Sequence, residues 1–320
     1  MKKYNVAVIG YGWVATAHIQ AINATANAQV TAIYSSRPQD DAALSARHGG
    51  AITSYTDLAA MLKRKDIHAV SICSYPSQHR EHAVAAAVAR AGVRSCVCFE
   101  CRFSSQFQVT KSVLEAGLLG SIHYGEVDYY HGIGPWYGQF RWNTGRKNGG
   151  SSLLSAGCHA MDALLLCMGS DVEAVTSYST KSKNAVFAQY EYDTTSVTIL
   201  RFKDGRVGKV ASVIDCLQPY YFHTHLVGSE GSLLDNKFHS NRVKGLNKHA
   251  WSSLSMKMLD SGDVSDHPYQ TQFESFFGSL EGNREMPLTS LPESLQSHRV
   301  VLAADLSARL GREVRLKELR

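Results

Sequence analysis

His159 is the residue of this 320-residue chain best suited to move a proton. It stands in Gly157-Cys158-His159-Ala160-Met161-Asp162, and the helical pattern runs on to Met168. An imidazole titrates near neutrality, so it can take a proton from an alcohol while hydride leaves the same carbon. Asp162, three residues on, falls on the same helical face, and Gly157 would admit a close approach of backbone to ligand. The alternative for His159 is a structural histidine. Just upstream, Tyr129-Tyr130-His131-Gly132-Ile133-Gly134-Pro135-Trp136-Tyr137 gathers aromatics and glycines. Aromatic faces with hydroxyls suit a sugar or polyol ring, which has both apolar and hydrogen-bonding surfaces. Tyr130, His131 and Trp136 are the candidates, and Arg141 adds a donor for a hydroxyl or carboxylate. The alternative is a strand end with a hydrophobic loop.

A second chemical stretch lies at the start of the chain. Val6 to Ile9 is an apolar run, followed by Gly10-Tyr11-Gly12-Trp13-Val14-Ala15 and a helical pattern to Ile22. Strand, Gly-x-Gly-x-x-Ala and helix together read as a dinucleotide-binding turn, the alternative being a plain tight turn: Gly10 permits the bend, Gly12 leaves space for a pyrophosphate, and Ala15 allows close packing. The helix N-terminus then offers free N–H groups and a positive dipole end to the phosphates. Gly10, Tyr11, Gly12, Trp13 and Val14 are therefore candidate cofactor contacts. The next apolar run, Val30 to Tyr34, leads into Ser35-Ser36-Arg37 with no acid where NAD-binding folds place one. Ser36 and Arg37 fit a 2′-phosphate, which favours NADP over NAD; the alternative is a solvated turn. After strand Ala69–Ile72, Ser74, Pro76 and His79 are placed to line the nicotinamide side. For His79 the alternative is a helix start with no ligand.

The surrounding elements divide the chain in two. Strands and helices alternate up to about Cys101, with helices over 40–48, from Tyr55, over 82–90 and over 105–116, and a strand over Ser95–Phe99. From Ile122, strand-like segments follow one another at 122–130, 172–178, 186–192, 196–202, 206–214, 223–226 and 232–234. The expected fold is an α/β Rossmann domain with a parallel doubly wound sheet over 1–101. An α+β domain with a large, mostly antiparallel open sheet follows over 102–320, its C-terminal helices packing back on the first domain. The net charge is +5, but no Lys/Arg run exceeds Lys63-Arg64-Lys65, which argues against nucleic acid as a partner. No apolar run is long enough for a membrane span, and Met1-Lys2-Lys3-Tyr4 leaves no room for a signal peptide, so a cytoplasmic location is expected. Seven cysteines suit reduced thiols. Cys96, Cys98 and Cys101 have no matching Cys/His pair, and no metal site is expected there.

Several segments together resemble the Gfo/Idh/MocA oxidoreductases, the glucose–fructose oxidoreductase and inositol dehydrogenase family. They are the Gly10–His18 loop, Ser74-Tyr75-Pro76 with His79, and Glu115-Ala116-Gly117-Leu118-Leu119-Gly120. Further on come Gly149-Gly150 with Gly157-x-His159-x-x-Asp162, Gly228-Ser229-Glu230-Gly231-Ser232-Leu233, and Ala303-Ala304-Asp305-x-Ser307-Ala308. The resemblance implies NAD(P)-dependent oxidation or reduction of a sugar or polyol, and a homo-oligomer built through the second-domain sheet. Two departures stand out. The family's Glu-Lys-Pro triplet, whose lysine contacts substrate and nicotinamide, is absent. Glu100-Cys101-Arg102 looks like a remnant, but Phe103-Ser104-Ser105-Gln106-Phe107 matches the start of the second domain. The gap therefore falls near Ala87-Val88 and removes about one βα unit, roughly thirty residues. If Ser95–Phe99 pairs beside the Ala69–Ile72 strand, Arg102 stands near the lysine's place. Ser155 replaces the acid two residues before Gly157, so a relay of Lys, Asp and His is reduced to His159, with Ser155 and Asp162 beside the substrate. The alternative function is a dinucleotide-binding protein with little catalysis.

Overall fold

A computed structural model describes residues 3–88, 93–260 and 267–319. The chain forms two units, Met1–Cys98 with Pro268–Leu291, and Phe99–His267 with Pro292–Arg320. The division falls three residues before the expected one, and the helix Tyr269–Glu281 joins the first unit.

The first unit is built on a parallel sheet. Its strands are β1 (Tyr4–Ile9), β2 (Ala28–Tyr34), β3 (Thr53–Tyr55) and β4 (Ala69–Ile72), in the order β3-β2-β1-β4. Helices α1 (Trp13–Ala24), α2 (Asp41–His48), α3 (Leu58–Leu62) and α4 (His79–Val88) connect and flank them. The fully buried Val6, Ala7, Val8 and Ile9 account for the central place of β1. Tyr55 ends a strand rather than opening a helix. Asp57 caps α3 instead, accepting from the N–H groups of Ala59 and Ala60. The expected end of the fourth helix at Arg90, and Ala91-Gly92 after it, lie outside the described residues. The expected strand Ser95–Phe99 does not form. The Val97 N–H bonds the Thr289 carbonyl at 2.8 Å and the Ser95 hydroxyl accepts from the Leu291 N–H at 3.2 Å. The Val97 N–H is thus engaged by the loop that carries Thr289, and among the described residues β4 pairs with β1 alone.

In the second unit α5 (Ser105–Glu115) precedes β5 (Ile122–Tyr130), and α6 (Phe140–Asn143) and α7 (Arg146–Gly149) precede α8 (Cys158–Met168). There follow β6 (Val172–Thr180), β7 (Thr195–Phe202), β8 (Val207–Val213), β9 (Tyr221–Gly228), β10 (Gly231–Leu234), β11 (Lys237–Ser240) and β12 (Ser252–Ser253). After α9 (Tyr269–Glu281), which belongs to the first unit, come α10 (Leu291–Leu310) and β13 (Val314–Arg315). The nine-stranded sheet runs β12-β11-β10-β9-β5-β8-β7-β6-β13. Only the β5–β8 pair is parallel. The run 186–192 is not a strand. It is a 3-10 turn and loop whose Tyr190 and Tyr192 hydroxyls donate inward to the carbonyls of Ile133 and Asn143, at 2.8 and 2.7 Å. Its aromatic content is anchoring, not alternation.

α8 lies directly on the sheet. Gly125 leaves no room for a Cβ against Met168, and Gly157 leaves none against Ser212 of β8. Gly157 thus serves contact between helix and strand, not approach to a ligand. The 3-10 turn Glu100–Phe103 runs beside α8. There the Arg102 guanidinium donates to both Asp162 oxygens, at 2.7 and 2.6 Å, and the Ser297 hydroxyl of α10 donates to the same carboxylate at 2.6 Å. Both charged groups are buried. Arg102→Met should destabilise the protein by about 3–5 kcal/mol, because Asp162 would stay buried without its cation. The double variant Arg102→Met, Asp162→Leu should regain most of that loss in urea unfolding. An equal loss in the double variant would show that the unpaired charge is not the cause.

Candidate active site

The parallel register sets the carboxyl ends of three strands of the first unit side by side, with Ile9 opposite both Tyr34 and Ile72. The loops after them, at Gly10, Ser35 and Cys73, therefore share one edge of that sheet, where open α/β folds bind ligands. Gly10 has φ +94°, and a Cβ there would lie 2.8 Å from the Cys73 carbonyl oxygen. Gly12 is different: a Cβ would meet nothing within 4 Å. It is the N-cap of α1, with no side-chain cap and no acid in the first turn. Open space over an uncapped helix start, which Trp13 and Val14 begin, fits a pyrophosphate. Tyr11 is held by its hydroxyl against His48 Nε2 at 2.9 Å. Ser36 and Arg37 are exposed, and Arg37 has no carboxylate partner among the described residues. The Ser74 hydroxyl meets His82 Nδ1 at 2.7 Å, and Pro76 opens a 3-10 turn. His79 Nε2 lies 2.8 Å from the Ser74 carbonyl, so this imidazole shapes the loop.

In the second unit His159 occupies the first turn of α8. Its side chain is 25% exposed, and its Nδ1 lies 3.9 Å from Glu100 Oε2, a carboxylate only 1% exposed. Glu100 Oε1 also meets His267 Nδ1 at 2.8 Å. Burial pushes the Glu100 carboxyl up, but the charges of His159 and His267 outweigh it and hold the group down at about 2. The Cys101 thiol completes the cluster, 4.0 Å from His159 Nδ1. The Phe99 ring stands edge-on to the imidazole at 5.9 Å.

A cavity of about 560 Å³ lies in the same unit, lined by His131, Trp136, Tyr137, Cys216, Gln218 and Tyr220 among others. His131 is buried, bonded to the Tyr129 hydroxyl at 2.9 Å and packed edge-on against Tyr137 and Tyr220. Burial, and beyond it the charge of His267, draws its pKa down to about 4. The imidazole is therefore neutral at physiological pH. Trp136 is 62% exposed and anchored by its indole N–H to the Gly132 carbonyl at 2.9 Å.

Other candidates lie apart from this cavity. Tyr130 sits on the opposite face of the sheet, stacked on Tyr221 at 6.1 Å, because neighbouring strand residues alternate faces. Asp162 is sealed in its pair with Arg102 and cannot touch substrate; for the same reason Arg102 does not stand in for a lysine. Arg141 is exposed on α6 and does not line the cavity. Ser155 is half-buried in a π-helical turn, its hydroxyl 3.4 Å from the Ser152 carbonyl. Sequence reasoning missed Glu100 as the carboxylate beside His159 and His267 as that carboxylate's second partner. The acid sits in an apolar run, and His267 lies 167 positions further on, so no local spacing could reveal either. Among the described residues, two His/Cys/acid groups have ligand atoms within 4.8 Å of one another: Glu100, Cys101 and His267, and on the sheet's other face Glu126, His223 and His225.

Comparison with known proteins agrees with this layout. The family model described as "Oxidoreductase family, NAD-binding Rossmann fold" matches residues 4–117, and the GFO/IDH/MocA C-terminal domain matches residues 107–234. The oxidoreductase YrbE of Bacillus subtilis (strain 168) is 23% identical over 347 positions, covering 99% of this chain and 97% of that protein. Since this chain has 320 residues, at least 27 of those positions face gaps in it. An NAD-binding oxidoreductase from Klebsiella pneumoniae superposes with TM-score 0.83 at 18% identity, covering 98% of this chain and 99% of that one. The apo scyllo-inositol dehydrogenase of Lactobacillus casei gives 0.80 at 16%, covering 99% of each. A levoglucosan dehydrogenase complexed with NADH and levoglucosan gives 0.81 at 18%, covering 98% and 99%. With both of its domain models matched in order along the chain, and the Rossmann and open-sheet units in place, this protein belongs to the Gfo/Idh/MocA family of oxidoreductases.

Proposed function

We propose that this protein is an NAD(P)-dependent dehydrogenase or reductase of a sugar or polyol, with His159 as the acid–base. The observation that carries the reading is a partly exposed imidazole held against a fully buried carboxylate. The nicotinamide cofactor, when bound, accepts or donates the hydride. On oxidation the substrate C–H bond breaks with its electron pair leaving as hydride, and the hydroxyl proton passes to His159. Reduction returns that proton to the carbonyl oxygen. Glu100 stabilises the imidazolium, as a buried carboxylate beside a general base does. Neutral His131 is suited to bond a hydroxyl, and the aromatic faces of Trp136 and Tyr137 to cover the ring's apolar side. The solved relatives named for inositol and levoglucosan support this substrate class.

Turnover should be seen across a panel of sugars and polyols. His159→Gln should lower kcat by about 10²–10⁴ while leaving dinucleotide affinity unchanged. Dinucleotide binding with no turnover on any substrate would overturn the enzyme reading in favour of a binding or regulatory protein.

Ser36 and Arg37, with no acid at the end of β2, favour NADP over NAD. Arg37→Ala should bring the two affinities together, measured by calorimetry, whereas Gly12→Ala should weaken both without lowering Tm. An unchanged NADP-to-NAD ratio in Arg37→Ala would remove the phosphate-binding role.

The outer sheet face leaves Tyr178, Val197, Ile199 and Val207 exposed on neighbouring strands. This apolar stripe supports a homo-oligomer formed through the sheet. Light scattering should report a multiple of the 35.1 kDa chain mass; a single-chain mass at micromolar concentration would contradict it.

A further inference from the structure

We propose that Glu100, Cys101 and His267 bind a zinc-like divalent cation, with His159 bordering the fourth position. The ligand atoms converge from three directions. Glu100 Oε1 is 2.8 Å from His267 Nδ1 and 3.9 Å from Cys101 Sγ. His159 Nδ1 stands 3.9 Å from Glu100 Oε2 and 4.0 Å from Cys101 Sγ. A tetrahedral zinc with sulfur, nitrogen and oxygen ligands has ligand-to-ligand edges of about 3.3–3.6 Å. The Glu100–His267 and Glu100–Cys101 separations fall within about 0.6 Å of that range, and all three ligand atoms lie within 4.8 Å of one another.

A second observation points into the same space. Glu100 Oε2 is buried and accepts no hydrogen bond. A buried carboxylate oxygen without a donor is costly unless a positive charge faces it. The Arg102 guanidinium, two residues on, is committed to Asp162, and the His159 imidazole that faces this oxygen stands 3.9 Å off, beyond hydrogen-bond reach. The other such cluster, Glu126 with His223 and His225, differs in this respect. There Lys209 Nζ already lies 2.7 Å from Glu126 and 2.6 Å from Asp128, so an ammonium holds the place a metal would take.

Ligand chemistry selects the ion. A thiolate, an imidazole and a carboxylate favour zinc or its cobalt and nickel relatives over magnesium or calcium, which take oxygen ligands. Binding would release the Cys101 thiol proton to solvent. Of the four side chains His159 is the one with substantial exposure, so it marks the entry side. An ion with three protein ligands keeps one position for water or a substrate oxygen beside His159, and its charge would acidify that oxygen. The ligands gather whether or not the pocket turns over a sugar, so the site stands independently of the hydride-transfer reading.

The test is titration of the full, chelator-stripped chain with Co²⁺ alone, followed by visible absorption. One equivalent should produce tetrahedral ligand-field bands and a near-ultraviolet thiolate-to-cobalt band, both displaced by Zn²⁺. Cys101→Ser should lose the charge-transfer band, and His267→Gln should weaken binding at least tenfold. Cys158→Ser should keep both features. Should Cys101→Ser fail to fold by circular dichroism, His267→Gln carries the contrast. Absence of saturable binding, or a charge-transfer band that survives Cys101→Ser, would overturn the site and leave the imidazoles alone to neutralise Glu100. Because absorbance reads the metal and not turnover, this outcome is separable from failure of the enzyme reading.

Discussion

A short 3-10 turn set against one helix decides the geometry of this protein's chemistry. Glu100 and Arg102 project from the same turn, and they meet His159 and Asp162, three apart on α8. The Arg102–Asp162 pair is buried and bidentate, so it locks the relative position of turn and helix. The same lock holds the carboxylate of Glu100 beside His159. Neither charge has water to fall back on, so each arrangement is strongly preferred over its alternatives. The absent lysine matters in this light. A guanidinium two residues past Glu100 is no substitute, because it is spent on holding the helix in place.

Much of the architecture was legible in the chain. Buried parallel strands announce themselves as apolar runs, and Gly10 and Gly12 mark the first turn by position and context. The errors have physical sources. The aromatics of 186–192 suggested a strand, but Tyr190 and Tyr192 spend their hydroxyls on backbone carbonyls of other loops. Ser95–Phe99 has strand composition, yet its Val97 N–H bonds the Thr289 carbonyl of a loop and not a neighbouring strand. The site was legible only in part. His159 and His131 could be singled out by type and setting, whereas Glu100 and His267 become partners through folding alone. Tyr130 was misplaced because one step along a strand reverses the face. Asp162 shares a helical face with His159, but only tertiary packing shows that Arg102 closes over it.

Among the described residues the sheet of the first unit has four strands, with β4 at one margin. An edge of this kind presents unpaired backbone groups that a further strand would satisfy in a larger Rossmann sheet. At least 27 positions of the alignment with YrbE face gaps in this chain, and the resemblance leads one to expect an absent strand-and-helix unit of about thirty residues. The cofactor-side loops do not depend on that unit, because β1, β2 and β4 already align their carboxyl ends. The glycine turn and the absent lysine are thus separate features of this chain.

The most direct measurement is a crystal structure of the protein with NADP and a bound polyol. The account predicts a substrate hydroxyl within hydrogen-bond reach of the His159 imidazole, about 2.6–3.2 Å, on the carbon facing the nicotinamide ring. A polyol bound elsewhere, or a nicotinamide ring remote from that imidazole, would contradict it.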